Sequence, residues 1–194
     1  MAYSNWQAKF EQFFSELDDV WNLELLSNID QVPRWLQTQF KGMATFECST
    51  TICNNRWTSV NAGAIFYYHL ETGPNDERHG KVKLFLGGQK CKKCKNVFEA
   101  AQWHDSEIAK AITKVLNKVK QRFYDSNEDS SISTTENAYV PGDRSGPHET
   151  SLCQFCALGV CKYDEQNDID SIASALEDLD WGDYDDDYST SDSG

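Results

Sequence analysis

The chain has 194 residues, 39% of them hydrophobic and 12% aromatic, with a formal net charge of −13. That length holds one or two domains around a modest core. No run of about 18 apolar residues is present to cross a bilayer, and MAYSNWQAKFEQFF has no basic segment leading into an apolar one, so a soluble cytoplasmic protein with reduced thiols is expected.

Trp6, Phe10, Phe13, Phe14, Leu17, Val20, Trp21 and Leu25 recur at three- and four-residue intervals, which predicts an amphipathic helix over 3–26. Asp30, with Pro33 three residues on, fits the cap and first turn of a second short helix, with Trp35, Leu36 and Phe40 facing inward. Strands are expected at Ala44–Cys48, Arg56–Leu70 and Lys81–Leu86, and Gly73, Pro74, Asn75 and Gly80 mark the turn between the last two. The alternation of Ala64, Phe66, Tyr68 and Leu70, and of Val82, Leu84 and Leu86, predicts an antiparallel pair with one buried face.

Asp105–Tyr124 reads as a helix again. Ser106 can cap it, Glu107 suits the positive end of its dipole, and Ile108, Ile112, Val115, Leu116, Val119 and Phe123 form its inner stripe. Lys110, Lys114, Lys118, Lys120 and Arg122 hold its outer face. Residues 125–147 are rich in Ser, Thr, Asn and Asp and nearly empty of large apolar groups, as a flexible loop is. From Asp164 onward there are twelve acidic residues and no Lys or Arg, which leaves 19 acidic against 18 basic residues in 1–163. The acidity therefore belongs to a disordered tail, 164–194, in which Ile169–Trp181 could become helical on contact with a partner.

The cysteines carry the chemistry. Cys91-Lys-Lys-Cys94 and Cys153-Gln-Phe-Cys156 have two intervening residues each, Cys48 and Cys53 have four, Cys161 trails the last pair and His148 precedes it. A tight turn between two thiolates lets both reach one ion at about 2.3 Å, and two such turns close a tetrahedral structural zinc site with no position left for water. Eight candidate ligands (Cys48, Cys53, Cys91, Cys94, His148, Cys153, Cys156 and Cys161) divide into one site of four cysteines and one of three cysteines and a histidine, so two zinc ions are expected, with the division of ligands left open. A redox CxxC needs a helix N-terminus to lower its thiol pKa, and no helical period starts at Cys91. His69 and His79 read as exposed strand and turn residues and His104 as part of a helix start. Neither a Ser/His/Asp arrangement nor a phosphate-binding glycine loop stands out, so no enzyme and no small-molecule substrate are expected. The fold class is α+β: a small antiparallel sheet pinned by zinc sites, flanked by an N-terminal helix and a basic amphipathic helix, in a domain 1–163 followed by the acidic tail.

Phe46-Glu-Cys48 with Cys53 and Trp57, then Val82-Lys-Leu-Phe-Leu-Gly-Gly-Gln-Lys-Cys91-Lys-Lys-Cys94 and Phe98-Glu99, then Gly146-Pro-His148 and Cys153-Gln-Phe-Cys156-Ala-Leu-Gly-Val-Cys161, resemble the 3CxxC-type zinc domain of the receptor-transporting proteins. The resemblance covers roughly 21–163. It departs from the family in the first pair, where two intervening residues are usual, and in ending on an Asp- and Ser-rich tail where the family carries a membrane-spanning helix. It implies an accessory factor that helps seven-helix receptors of the odorant and taste type to the cell surface, working by protein binding and peripherally, on the cytosolic face of the endoplasmic reticulum or plasma membrane. More distant relatives with this zinc domain bind messenger RNA. An RNA-binding alternative, of antiviral or translational-control type, draws on residues 78–122, where twelve basic residues stand against three acidic ones and would attract RNA or anionic lipid. The acidic tail is expected to fold back on that region and compete with such partners.

Overall fold

The computed structural model describes residues 2–29, 32, 35–124 and 148–161. Residues up to Val160 form one compact unit, and of a second, Cys161–Gly194, only Cys161 is described. The expected loop 125–147, the tail and its Ile169–Trp181 segment lie outside the described residues, as do Asp30 and Pro33.

The N-terminal helix α1 runs Ala2–Phe14 and buries Trp6, Phe10 and Phe14. It does not continue to residue 26: Val20–Leu25 is strand β1. Trp21 and Leu23 are buried while their neighbours are exposed, a two-residue period that the sequence concealed because Leu17, Trp21 and Leu25 also fall on a four-residue one. Strand β1 lies parallel to β4 (Arg78–Leu86), so the sheet is mixed rather than purely antiparallel. The expected second helix is also replaced. Leu36–Glu47 forms the long strand β2, in which Leu36 is exposed and Phe40 partly buried, and Trp35 stacks on His69 at 5.5 Å.

Strand β2 pairs antiparallel with β3, Arg56–Thr72, which pairs antiparallel with β4. After β4 come three two-residue strands, β5 (Gln89–Lys90), β6 (Phe98–Glu99) and β7 (Gln102–Trp103). The five-stranded sheet has the order β1-β4-β3-β2-β7, and β5 and β6 pair separately. The expected antiparallel pairing holds, with Ala64 opposite Leu86, Phe66 opposite Leu84, Tyr68 opposite Val82 and Leu70 opposite Gly80. The expected single buried face does not: Ile65, Tyr67 and Phe85 between them are buried as well, so this pair is covered on both faces. Gly80 sits inside β4 rather than in a turn. A Cβ there would come within 1.9 Å of the Trp21 ring, so the residue is small because β1's tryptophan lies over it. The β3–β4 turn itself is closed by Gly73 and Glu77, with Asp76 in the left-handed region at φ 60°.

Helix α2, Asp105–Phe123, buries Ile108, Ile112, Val115, Leu116 and Val119 as its period predicts. Its N-cap is His104 and not Ser106, without a side-chain cap hydrogen bond. Both helices cover one sheet face, where Trp6 meets the Trp103 ring edge-on at 5.5 Å and the Phe66 ring at 6.0 Å. Glu107, buried at the start of α2, accepts a hydrogen bond from the Met43 N–H, where β2 bulges between Gly42 and Ala44, and pairs with Lys110 at 2.7 Å. The end of α2 is tied to β1 by Tyr124, whose hydroxyl accepts from the Trp21 indole and donates to Asp19; burial first, and then that carboxylate, raise the phenol's pKa.

Ile65, Tyr67 and Phe85 point to the opposite sheet face, which the zinc-knuckle segment at residues 148–161 covers through Phe155. The segment consists of a single 3-10 turn, Thr150–Leu152, and the short helix α3, Gln154–Ala157.

Candidate metal centres

All eight predicted ligands are brought together, in two groups. The ligand atoms of Cys48, Cys53, Cys91 and Cys94 lie within 4.8 Å of one another, and so do those of His148, Cys153, Cys156 and Cys161. The division that the sequence left open is thus settled by topology. The first group, the four-cysteine centre, joins the β2–β3 hairpin tip to the loop between β5 and β6. The second, the histidine-containing centre, belongs to the segment after α2.

Local structure explains each turn. In the first group Cys48 donates its backbone N–H to Asn55 O, and Cys53 donates its own to Thr50 O, closing the longer four-residue loop. Asn54 follows in the left-handed region at φ 42° and turns the chain into β3. The Cys91 knuckle closes by the Lys95 N–H donating to Cys91 O at 2.7 Å, with Lys95 left-handed at φ 52°. The four-residue spacer therefore does the work of the shorter one. Cys53 Sγ and Cys91 Sγ stand 3.8 Å apart, the separation that two sulfurs about 2.3 Å from a shared tetrahedral ion would have. All seven cysteines are free of disulfides.

The electrostatics of the first group suit a cation. Backbone hydrogen bonds, chiefly from Cys94 and also from Lys93, lower the Cys91 thiol to about 7 against the opposing pull of burial. Cys53 is raised, first by its side-chain hydrogen bond with Cys94 and then by burial. Hydrogen bonding within the group thus moves the two thiols in opposite directions, and metal binding at such a site requires its sulfurs to be deprotonated. Asn55 Nδ2 donates to Cys91 Sγ at 3.5 Å. Buried Glu99 accepts from both the N–H and the hydroxyl of Ser49, fixing the hairpin tip from the β6 side.

In the second group His148 presents Nε2, 3.0 Å from Cys156 Sγ. The knuckle is held to the sheet at several points. Gly88 N–H donates to Gln154 Oε1, Gln154 N–H donates to Gly88 O, and Gln89 bridges to Cys153. Gly159 ends α3 with φ 68°. Asn55, Gln154 and Phe155 were not singled out by sequence reasoning. Their signal was only their position inside or next to the cysteine pairs.

Two sets of four protein ligands, seven thiols and one imidazole, fit two structural zinc ions, each set closed to water. The second centre gives a direct check. His148→Ala is expected to lower bound zinc from about two to about one per chain, and His148→Cys to restore it, because either donor completes four-coordination. His104→Ala should leave the count unchanged, since that residue caps α2 instead. Metal analysis of the purified variants decides it, and equal zinc in His148→Ala and the parent would remove His148 from the ligand set.

A mixed sheet under two helices, with cysteine knuckles binding two zinc ions at its edge, defines a zinc-ribbon-type protein. The chain belongs to the 3CxxC zinc-ribbon family of zinc-binding domains, which it matches over residues 41–159. Among curated proteins it is 29% identical over 167 residues to receptor-transporting protein 4 of Mus musculus and 23% identical over 162 residues to its Homo sapiens counterpart, each alignment covering 80% of this chain. It is 25% identical over 173 residues to receptor-transporting protein 3 of Mus musculus, covering 84% of this chain. The alignments span 63% of the length of the first two relatives and 34% of the third. No solved structure matches the chain.

Of the twelve basic residues in 78–122, six pair with carboxylates in the fold: Arg78 with Asp19, Lys81 with Glu71, Lys83 with Glu24, Lys92 with Glu149, Lys110 with Glu107 and Lys120 with Glu16. Five of these pairs bring in carboxylates from outside 78–122 and so offset part of the local charge excess, whereas Glu107 lies within that stretch on the same helix as Lys110. Between the two centres lies an open cleft of about 420 Å³, lined by Trp57, Asn61, Gln89 and the lysines Lys90, Lys92 and Lys93, among others. No helix among the described residues is long and apolar enough to cross a membrane.

Proposed function

We infer that this protein is a non-catalytic accessory factor that binds membrane receptors of the seven-helix class and promotes their arrival at the cell surface, acting peripherally from the cytosolic side. The observation that carries this reading is its similarity, over about four-fifths of its length, to proteins named receptor-transporting. Two closed four-ligand zinc sites support it, since such sites hold shape and offer no open coordination position for chemistry.

Co-expression with a panel of odorant- and taste-type receptors tests the reading by surface labelling and co-precipitation. At least one receptor is expected to show a several-fold gain at the surface that the Cys91→Ser variant fails to give. No gain and no co-precipitation across the panel would defeat it. The RNA-binding reading is favoured by one observation, the open cleft lined by Lys90, Lys92 and Lys93. It predicts a gel shift with single-stranded RNA that weakens steeply with salt.

A further inference from the structure

Ile52 is 94% exposed, the most exposed large apolar side chain among the described residues. It stands on the Cys48–Cys53 loop, one residue before a metal ligand, on a turn held by the Cys53 N–H to Thr50 O hydrogen bond. Exposed apolar residues scattered singly need no explanation. This one is not alone. The adjoining knuckle of the same zinc centre carries Val97, 46% exposed, and the exposed lysines Lys93 and Lys95, which make no ion pair among the described residues. Ile52 neighbours Cys53 in sequence, and Lys93 and Lys95 flank Cys94; the sulfurs of those two cysteines lie within 4.8 Å. The apolar tip and the cations therefore belong to two loops fixed by one zinc centre, with Lys93 also lining the cleft.

The carboxylates nearby are already engaged. Glu47 pairs with Arg56, Glu149 pairs with Lys92, and Glu99 is buried and holds Ser49. Nothing among the described residues of these two loops offsets Lys93 and Lys95.

We propose that the four-cysteine zinc knuckle is a membrane-surface anchor, with Ile52 entering the interface of an anionic bilayer while Lys93 and Lys95 engage lipid headgroup phosphates. The proposal goes beyond the receptor reading and does not rest on it. A bilayer fits better than RNA here. RNA would be served by the lysines and by an aromatic platform, and has no use for an aliphatic side chain held out in water, whereas an interface rewards apolar and cationic groups together. The metal supplies what a short loop lacks, because a tip fixed in advance loses little conformational freedom on insertion.

The test uses the zinc-loaded full chain and sedimentation with vesicles of phosphatidylcholine alone or mixed with phosphatidylserine. The expected result is binding to the mixed vesicles only, strong at about 0.1 M salt and weak at about 1 M, where the screening length falls from about 10 to about 3 Å. Lys93→Ala/Lys95→Ala is expected to weaken it about 25-fold, at about fivefold per lysine near an anionic surface. Ile52→Ser is expected to weaken it about tenfold, and both variants should keep about two zinc ions per chain, since all three side chains are exposed. Ile52→Trp should bind as the parent does and add a fluorescence signal quenched by lipids brominated on their acyl chains. Failure to bind mixed vesicles overturns the proposal, as does binding unaltered in both loss variants. Single-stranded RNA binding through Lys93 and Lys95 without vesicle binding overturns it in favour of the nucleic acid.

Discussion

Stripped of zinc by a high-affinity chelator, the protein is expected to lose its fixed tertiary structure and become protease-sensitive across 48–99. A structural zinc contributes on the order of 10–16 kcal/mol in small domains, as much as or more than the roughly 5–15 kcal/mol net stability of a typical fold. The first centre is the more exposed to this argument, because it joins three parts of the sheet system: the end of β2, the start of β3 and the β5–β6 pair. Without the ion, Cys48 and Cys91 remain buried with a partly ionised thiol among them. Cys91→Ser is therefore expected to give an insoluble or cleavable chain. Cys153→Ser should mainly release residues 148–161, because the helix-covered core with Trp6, Phe66 and Ile112 is built without that segment. Near-ultraviolet circular dichroism and limited proteolysis, with metal content measured in parallel, distinguish the two. A folded, protease-resistant chain containing no metal would defeat the structural role of zinc.

The ligands were legible in the sequence because metal geometry constrains short spacings, and a spacing survives any arrangement of the rest of the fold. The β3–β4 pair and α2 were legible too, because two strand-forming runs flank the turn at 73–75 and Ile108–Val119 shows a single helical period. The unbroken apolar run 64–68, however, hid the fact that this strand is buried on both faces. Residues 20–25 and 35–40 were not legible. Trp21 is four residues from both Leu17 and Leu25, so the local pattern fits a helix, and only pairing with β4, more than fifty residues away, makes it a strand. For Leu36–Phe40 the sequence offers a cap-like Asp30 and Pro33, but β3 supplies the backbone partners, with Leu36 opposite Tyr68 and Phe40 opposite Ala64. The pairing of the basic excess with distant carboxylates was hidden for the same reason: Asp19, Glu24 and Glu16 lie far from 78–122 in sequence.

Phe155→Ala is expected to destabilise the protein by about 3–5 kcal/mol, the usual cost of emptying a buried aromatic site. At about 2–4 °C per kcal/mol for a chain of this size, its Tm should fall by roughly 10 °C. The ring lies between two glycines on the sheet face away from the helices. A Cβ on Gly63 would stand 2.3 Å from it and one on Gly87 2.4 Å, and Phe85 stacks on it with ring centroids 5.9 Å apart. Gly63 and Gly87 are themselves joined, the Gly87 N–H donating to Gly63 O at 2.9 Å, so the floor of the slot is continuous backbone. Phe155 belongs to the Cys153–Cys156 knuckle, and its seat thus sets where the second zinc centre rests on the sheet. In Phe155→Ala, zinc affinity at the histidine-containing centre should fall while the four-cysteine centre keeps its ion, and amide exchange should quicken over 153–160. A double-mutant cycle tests the slot itself. Gly87→Ala alone forces a methyl into the ring and should be strongly destabilising, but in the Phe155→Ala background the added methyl meets empty space and its cost should largely vanish. Additive losses in the double variant would mean that the ring does not occupy the space over Gly87.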